Sequence, residues 1–182
     1  KVKNSFYFQQ FIKVLQCFTN TIILSFFIEI LYLNDSKQVP EKKREELYDI
    51  IMEKAIAVGI GSASHQVIDE INILNATYQA MRDTINNLKV KPNILLNDAV
   101  HIPEVDVKQV SLIKGDARSV SIAAASIIAK VTRDRLMVEY DKVMPGYDFA
   151  SNKGYGSPKH LAALKEIGPC EIHRRTFIGN LI

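Results

Sequence analysis

Residues 93–135 read NILLNDAVHIPEVDVKQVSLIKGDARSVSIAAASIIAKVTRDR, and the order of elements inside this run sets the architecture. Residues 93–98 (NILLND) and 108–114 (KQVSLIK) have the apolar, β-branched character of strands, with Pro103 in the connection between them. A long helix follows over residues 120–143 and is stopped by Pro145–Gly146. Strands feeding a long helix give an α/β order of elements. Asp98 closes the first strand, and Asp116 follows the second after Lys114–Gly115. If the strands run parallel, both carboxylates emerge at one edge of the sheet, where open α/β sheets bind ligands. If they run antiparallel, the acids lie at opposite edges. The connection of about nine residues is short for a parallel crossover, which usually needs a dozen or more, and an Asp at a strand end also serves as a turn or cap residue.

Outward from Asp116, Ala123, Ala124 and Ala125 permit close packing of the long helix against a sheet. Ser126, Lys130 and Arg133 stand at i, i+4 and i+7 and so share a helix face, which reads either as the solvated side or as a cationic line leading away from the acid. Upstream, Pro40 opens a helix to about residue 55, with Leu47, Ile50 and Ile51 in one apolar stripe. Residues 55–63 (AIAVGIGSA) suit a buried strand. Ser64 then caps a helical region to Leu88, in which Ile68, Ile71, Leu74, Tyr78, Met81, Ile85 and Leu88 recur every three or four residues. Downstream, a loop over 147–157 leads to a short helix over 158–167.

The whole chain has 182 residues, 47% hydrophobic and 24% charged, with 8 Gly and 6 Pro, which excludes disordered and collagen-like classes and points to one domain with a full core. Cys17 and Cys170 are far apart and lack CxxC spacing, so a reducing, cytoplasmic setting is expected rather than a zinc site or disulfide framework. The net charge of +3 is too balanced to identify a polyanion partner. From residue 153 onward there are five Lys and Arg against two Glu, a locally basic tail. Residues 1–33 differ in composition. Glu29 is their only acid, and residues 21–33 are almost wholly apolar. Thirteen residues fall short of the roughly 20 a spanning helix needs, and no A-x-A-like cleavage site follows. A buried strand or helix is expected there, with no membrane attachment. The first residue is Lys, which suggests a fragment or an unusual start.

From Asn34 to Phe177 the chain resembles bacterial ribonuclease HII. The resemblance rests on NDSKQVPEKKREELY (34–48), IDEINILNATYQAM (68–81), ILLND (94–98), KGDARSVSIAAASIIAKVTRDR (114–135), PGYDFASNKGYGSPKHL (145–161) and GPCEIHRRTF (168–177), in the family's order. It implies an RNase H-like mixed sheet flanked by helices, with a small C-terminal helical part, for residues 34–182. It also implies endonucleolytic cleavage of the RNA strand of RNA–DNA hybrids, and nicking at ribonucleotides in duplex DNA, by a monomer. Asp98 and Asp116 match two of the family's four carboxylates, which hold two Mg²⁺ or Mn²⁺ ions for in-line hydrolysis. Lys37, Ser121 or Ser126, and Lys130 match positions near substrate phosphates. Tyr155 matches the aromatic that packs on the sugar at the RNA–DNA junction.

Each of these residues also has a plain structural reading. Tyr155 packs between two glycines, Lys37 opens a helix, Asp134 is expected to be a salt-bridge partner and His173 structural, and His65, His101 and His160 show no ligand spacing. The family's Asp-Glu-x-Gly-Arg-Gly, source of its first two metal ligands, is missing. Its place holds KVKNSFYFQQ, without an acid, Arg or Gly. With two carboxylates instead of four, weak or absent nuclease activity is expected. Either residues 1–33 are foreign to the family or the chain has diverged. A non-catalytic nucleic-acid-binding module remains the competing reading, and a membrane-attached protein anchored through residues 11–33 a further one.

Overall fold

The computed structural model describes residues 39–179 and the backbone of residues 19–23. Lys37, Asp35, Glu29, Cys17 and most of the atypical segment lie outside the described residues. In chain order the elements are β1 (Thr19–Ile23), α1 (Glu41–Lys54), β2 (Ala57–Gly61), α2 (His65–Asn86), β3 (Ile94–Asp98), β4 (Lys108–Leu112), α3 (Gly115–Arg118), α4 (Val120–Val143), α5 (Phe149–Asn152), α6 (Pro158–Ile167) and α7 (Arg175–Ile178). Both strand directions occur: β1 pairs antiparallel with β2, and β3 pairs parallel with β4. β1 falls inside the segment that composition sets apart, and its backbone nonetheless joins β2.

The parallel pair resolves the question left open by its nine-residue connection. Gln109, in β4, clamps that connection to the sheet: its Oε1 accepts from the Ile102 amide at 2.8 Å and from Asn97 Nδ2 at 3.0 Å, while its Nε2 donates to Ile102 O at 2.8 Å. Ser111 Oγ donates to Val100 O at 2.6 Å. These bonds satisfy backbone groups that a tight crossover would otherwise leave unpaired, and Ile102, 2% exposed, packs on Leu95 and Ile85 beneath it.

Helix α4 is the spine. Ser119 caps it by accepting from the Ile122 amide. Ala124, Ile127, Ile128 and Val131 recur every three or four residues and pack against Leu47 and Ile51 of α1. Six residues further on, Met137 enters a second apolar cluster with Tyr147, Phe149, Ala163, Leu164 and Ile178. The long helix therefore joins the sheet-bearing part to the C-terminal helical part.

Two sequence expectations are corrected by local geometry. Strand β2 buries Ala57, Gly59 and Gly61 and leaves Ile60 exposed, so the small residues face inward. The region after Ser64 is not one uninterrupted helix. Asn72 sits at φ 65°, ψ 165°, and its Oδ1 accepts from the amides of Leu74 (3.0 Å) and Asn75 (3.1 Å), capping a second helical segment. This break shifts the phase of the periodicity, so Leu74 is 54% exposed while Ala76, Ala80 and Thr84 are fully buried. Replacing Asn72 by Ala should cost about 1 kcal/mol through the lost cap, whereas Asn72→Gly relieves a backbone conformation that is essentially glycine-only and should be neutral or stabilising. Denaturant midpoints of the two variants check this.

Candidate metal and nucleic-acid site

Asp98 is the last residue of β3 and stands opposite Leu112 in the parallel register. Immediately beyond β4, Lys114 adopts a left-handed conformation (φ 54°, ψ 49°) and turns the chain straight into α3. That turn aims the Gly115 amide back at Asp98, whose Oδ1 accepts from it at 2.8 Å. The approach is close: a Cβ at position 115 would lie 2.6 Å from Ile122 Cδ1 and 3.3 Å from Asp98 Oδ1, so a larger residue would have to displace the Ile122 side chain and crowd the carboxylate. Asp116 follows in the first turn of α3, with its Oδ1 accepting from the Ala117 amide at 2.9 Å. Both acids thus sit at the carboxyl end of the parallel pair, half-buried, each engaging one carboxylate oxygen in these bonds. Among the described residues neither enters an ion pair, and no cluster of three or more His, Cys, Asp or Glu side chains there is arranged to hold a metal ion.

A second group forms further along α4. Lys130 Nζ lies 2.5 Å from Asp134 Oδ1 and 5.9 Å from the centre of the Tyr155 ring, within cation–π range. Arg44 Nη2, from α1, reaches Asp134 Oδ2 at 3.7 Å. Burial pulls the Lys130 ammonium below the usual lysine range, against the upward pull of its bond to Asp134. Burial also raises the Tyr155 phenol. Arg133, whose charge is felt at both Lys130 and Tyr155, donates from Nη1 to Lys153 O at 2.8 Å and fastens the loop that carries Tyr155. Asn152 holds the same loop, accepting from Gly154 N at 2.8 Å and donating to Tyr147 O at 2.7 Å.

The structure brings together Asp98 with the turn that carries Asp116, and Lys130 with Tyr155. It sets the two groups apart along α4, where nine residues at 1.5 Å each put Lys130 about 14 Å from Ser121. Ser121 is half-buried in the first turn of α4. Ser126 turns its hydroxyl inward and donates to Ala123 O at 2.8 Å. Asp134 is the salt-bridge partner that the sequence suggests. Sequence reasoning missed Arg44 and the pairing of His160 with His173, whose ring nitrogens meet at 3.0 Å; a separation of thirteen residues carries no periodic signal. A cleft of about 300 Å³ opens beside the second group, bordered by His65, Arg133, Gly154, Gly156, Arg174 and Phe177. Asp98 and Asp116 do not line it.

With this geometry in place, comparison with known proteins decides the family. The family model described as Ribonuclease HII matches residues 17–179. The chain belongs to the ribonuclease HII family. The match begins ahead of Asn34, where the sequence resemblance starts. Among curated ribonuclease HII proteins, that of Lachnoclostridium phytofermentans is 71% identical over 160 residues, covering 88% of this chain and 63% of the relative. That of Caldanaerobacter subterraneus is 53% identical over 161 residues, covering 88% and 67%. The chain therefore spans about two thirds of the length of these relatives. The crystal structure of ribonuclease H2 from Pyrococcus horikoshii OT3 superposes with a TM-score of 0.63 at 23% identity, over 82% of this chain and 80% of that one. The α/β RNase H-like fold expected from sequence is thereby confirmed.

Proposed function

We propose that this chain is an RNase H-type endonuclease acting on RNA–DNA hybrids and on ribonucleotides embedded in duplex DNA, with Asp98 and Asp116 as its metal-binding and catalytic carboxylates. The observation that carries the reading is the bond from the Gly115 amide to Asp98, which fixes the turn bearing Asp116 against the end of β3. Carboxylate oxygens are the donors that Mg²⁺ and Mn²⁺ prefer. Mg²⁺ is commonly held by one or two carboxylates, with water and substrate phosphate completing the shell. Two acids therefore fit a single cation, where four hold the family's metal pair, so cleavage by these 182 residues alone is impaired. When bound, such a cation acts as a Lewis acid on the phosphoryl oxygen.

The remaining assignments concern binding. Lys130, held by Asp134, presents its ammonium beside Tyr155, where it neutralises a backbone phosphate while the ring packs on the sugar. Ser121, at the start of α4, contacts a phosphate nearer the acids; Ser126 stays bound to Ala123 O and supports the helix. Lys37, outside the described residues, is proposed as a further phosphate contact. The protein acts as a cytoplasmic monomer. Among the described residues no helix is long and apolar enough to cross a membrane.

The test is a duplex containing one ribonucleotide, incubated with the 182-residue chain and Mg²⁺ or Mn²⁺ at high protein concentration. Slow nicking at the ribonucleotide is the expected result. Asp116→Asn should reduce the rate at least tenfold, about 1.4 kcal/mol of barrier, while binding persists. Unchanged turnover in that variant removes the role given to Asp116. Binding without any nick in the parent chain favours the module reading instead.

A further inference from the structure

Cys170, His173, His160 and Tyr155 form a hydrogen-bonded line through the C-terminal cluster. The Cys170 amide donates to His173 Nδ1 at 3.0 Å, with the Cys170 thiol at the same distance from that nitrogen. A ring nitrogen that accepts carries no proton, so the proton of neutral His173 resides on Nε2. His173 Nε2 faces His160 Nε2 at 3.0 Å. His160 therefore accepts there and keeps its own proton on Nδ1, which donates to Tyr155 O at 2.8 Å. One protonation pattern satisfies every partner, and both rings are neutral in it. The rings are 3% and 8% exposed and pack against Tyr147 and Phe149, with centroids 4.9–6.2 Å apart.

From this geometry we infer that His160 and His173 are positioning residues, a proton-ordered relay that fixes the backbone of Tyr155 and so holds its ring beside Lys130. The inference rests on the role proposed for Tyr155 at the ribose. The Tyr155 carbonyl also accepts from the Ser157 amide at 2.8 Å, so the relay and the turn converge on one oxygen. Gly154 and Gly156 flank Tyr155, and Gly154 has φ 79°, so the short segment has little intrinsic stiffness of its own.

A second proton on either ring puts two donors face to face and breaks the line. Burial disfavours that proton on both rings, and for His173 the neighbouring His160 ring adds to it, holding His173 down to about 4. The groups facing the pair are the Cys170 thiol, the Tyr147 phenol, the Arg174 and Arg175 guanidinium groups, and across the cleft His65 and Arg133. The folded chain thus binds fewer protons here than the unfolded chain, whose histidines titrate near 6.5. The contribution of the pair is complete above about pH 6.5 and is lost as the pH falls toward 4.

The experiment compares the full chain with His160→Leu, which deletes the donor to Tyr155, and His160→Asn, whose side-chain amide replaces Nδ1. Amide hydrogen exchange at Tyr155 and Ser157 reads the loop, and the affinity ratio for a ribonucleotide-containing duplex over an all-DNA duplex reads the site. Loss of amide protection in His160→Leu, its retention in His160→Asn, and its decline in the parent chain between pH 6.5 and 4 support the relay. The affinity ratio should drop about tenfold in His160→Leu, as in Tyr155→Ala, in line with the value of one aromatic contact to nucleic acid. Equal protection in all variants overturns it. If His160→Leu does not fold, His160→Gln takes its place, since its amide reaches the Nε2 position and not Nδ1. If the parent chain shows no preference for the ribonucleotide, the functional reading of Tyr155 falls, and the exchange data alone decide the relay.

Discussion

Gly61→Ala is expected to lower the stability of the chain by about 3 kcal/mol or more, at or above the upper end of the usual cost of overpacking. A Cβ at position 61 would lie 2.1 Å from Ala80 O, 2.6 Å from Thr84 Oγ1 and 2.8 Å from Thr84 N. Two of these atoms are helix backbone. They retreat only if the second segment of α2 moves as a body off β2. That segment meets β2 through Ala80 and Thr84, both fully buried, so there is no slack side chain to absorb the shift. Thr84 Oγ1 is itself committed, donating to Ala80 O at 2.8 Å. Gly59 repeats the contact one step along the strand, where a Cβ would stand 2.3 Å from Thr84 O. Gly168→Ala is the control: nothing lies within 4 Å of its Cβ position, so it reports only the backbone strain at φ 73°, ψ −179°, about 1–3 kcal/mol. Denaturant unfolding ranks the variants. A Gly61→Ala midpoint close to the parent would mean that the helix does not lie on this strand.

Asp134→Ala is expected to cost about 3–5 kcal/mol, the usual penalty for removing one partner of a buried ion pair. The Asp134 side chain is 7% exposed, and the cations on either side of it are nearly as enclosed, Lys130 at 17% and Arg44 at 12%. Without the carboxylate, two positive charges face each other in the interior between α1 and α4. Because burial already pulls Lys130 below the usual lysine range, loss of Asp134 depresses it further. Raising the pH then neutralises Lys130 and relieves the repulsion, so the deficit of the variant should shrink in alkaline solution. Melting curves at neutral and alkaline pH test both the size of the effect and its sign. A deficit that stays constant with pH argues that packing, rather than uncompensated charge, is what Asp134 supplies.

The parts of the fold that sequence makes legible are those governed by local rules. Helix α4 begins at the residue after a serine cap and ends before Pro145–Gly146, and α6 begins with Pro158 behind Ser157, as capping chemistry requires. The direction of β4 relative to β3 is not local. It depends on Gln109 reaching back to Ile102 and Asn97, a side-chain choice that no periodicity announces. Asn72 is similar: an asparagine inside an apolar repeat reads as a solvated helix position until its left-handed backbone is seen, and Leu74 is then exposed rather than buried. At the site, the positions of Asp98 and Asp116 just at and after strand ends are legible, but that both lie at one edge depends on the strand direction the sequence leaves open. The salt-bridge role of Asp134 is legible from Lys130 four residues before it. Arg44 and the histidine pair are not, since their partners arrive from other elements. The short helices α3, α5 and α7, four residues each, fall below the length at which a periodic pattern exists.

One further contact ties the beginning of α2 to the end of the described chain. Asp69 accepts from the Arg175 amide at 2.7 Å, from the Thr176 amide at 3.2 Å, and from the Thr176 hydroxyl. Although burial pushes its carboxyl up, these bonds win and hold it below the usual range. On a ribosome adding roughly 5–20 residues per second, the sequence separation of 106 from Asp69 to Arg175 takes about 5–20 s to synthesise. Through that interval the acid remains hydrated, because the amides it will accept from have not yet been made. Fastening of this tail segment therefore waits until residues 175–176 have been made, and a nascent chain halted before them would carry the latch open.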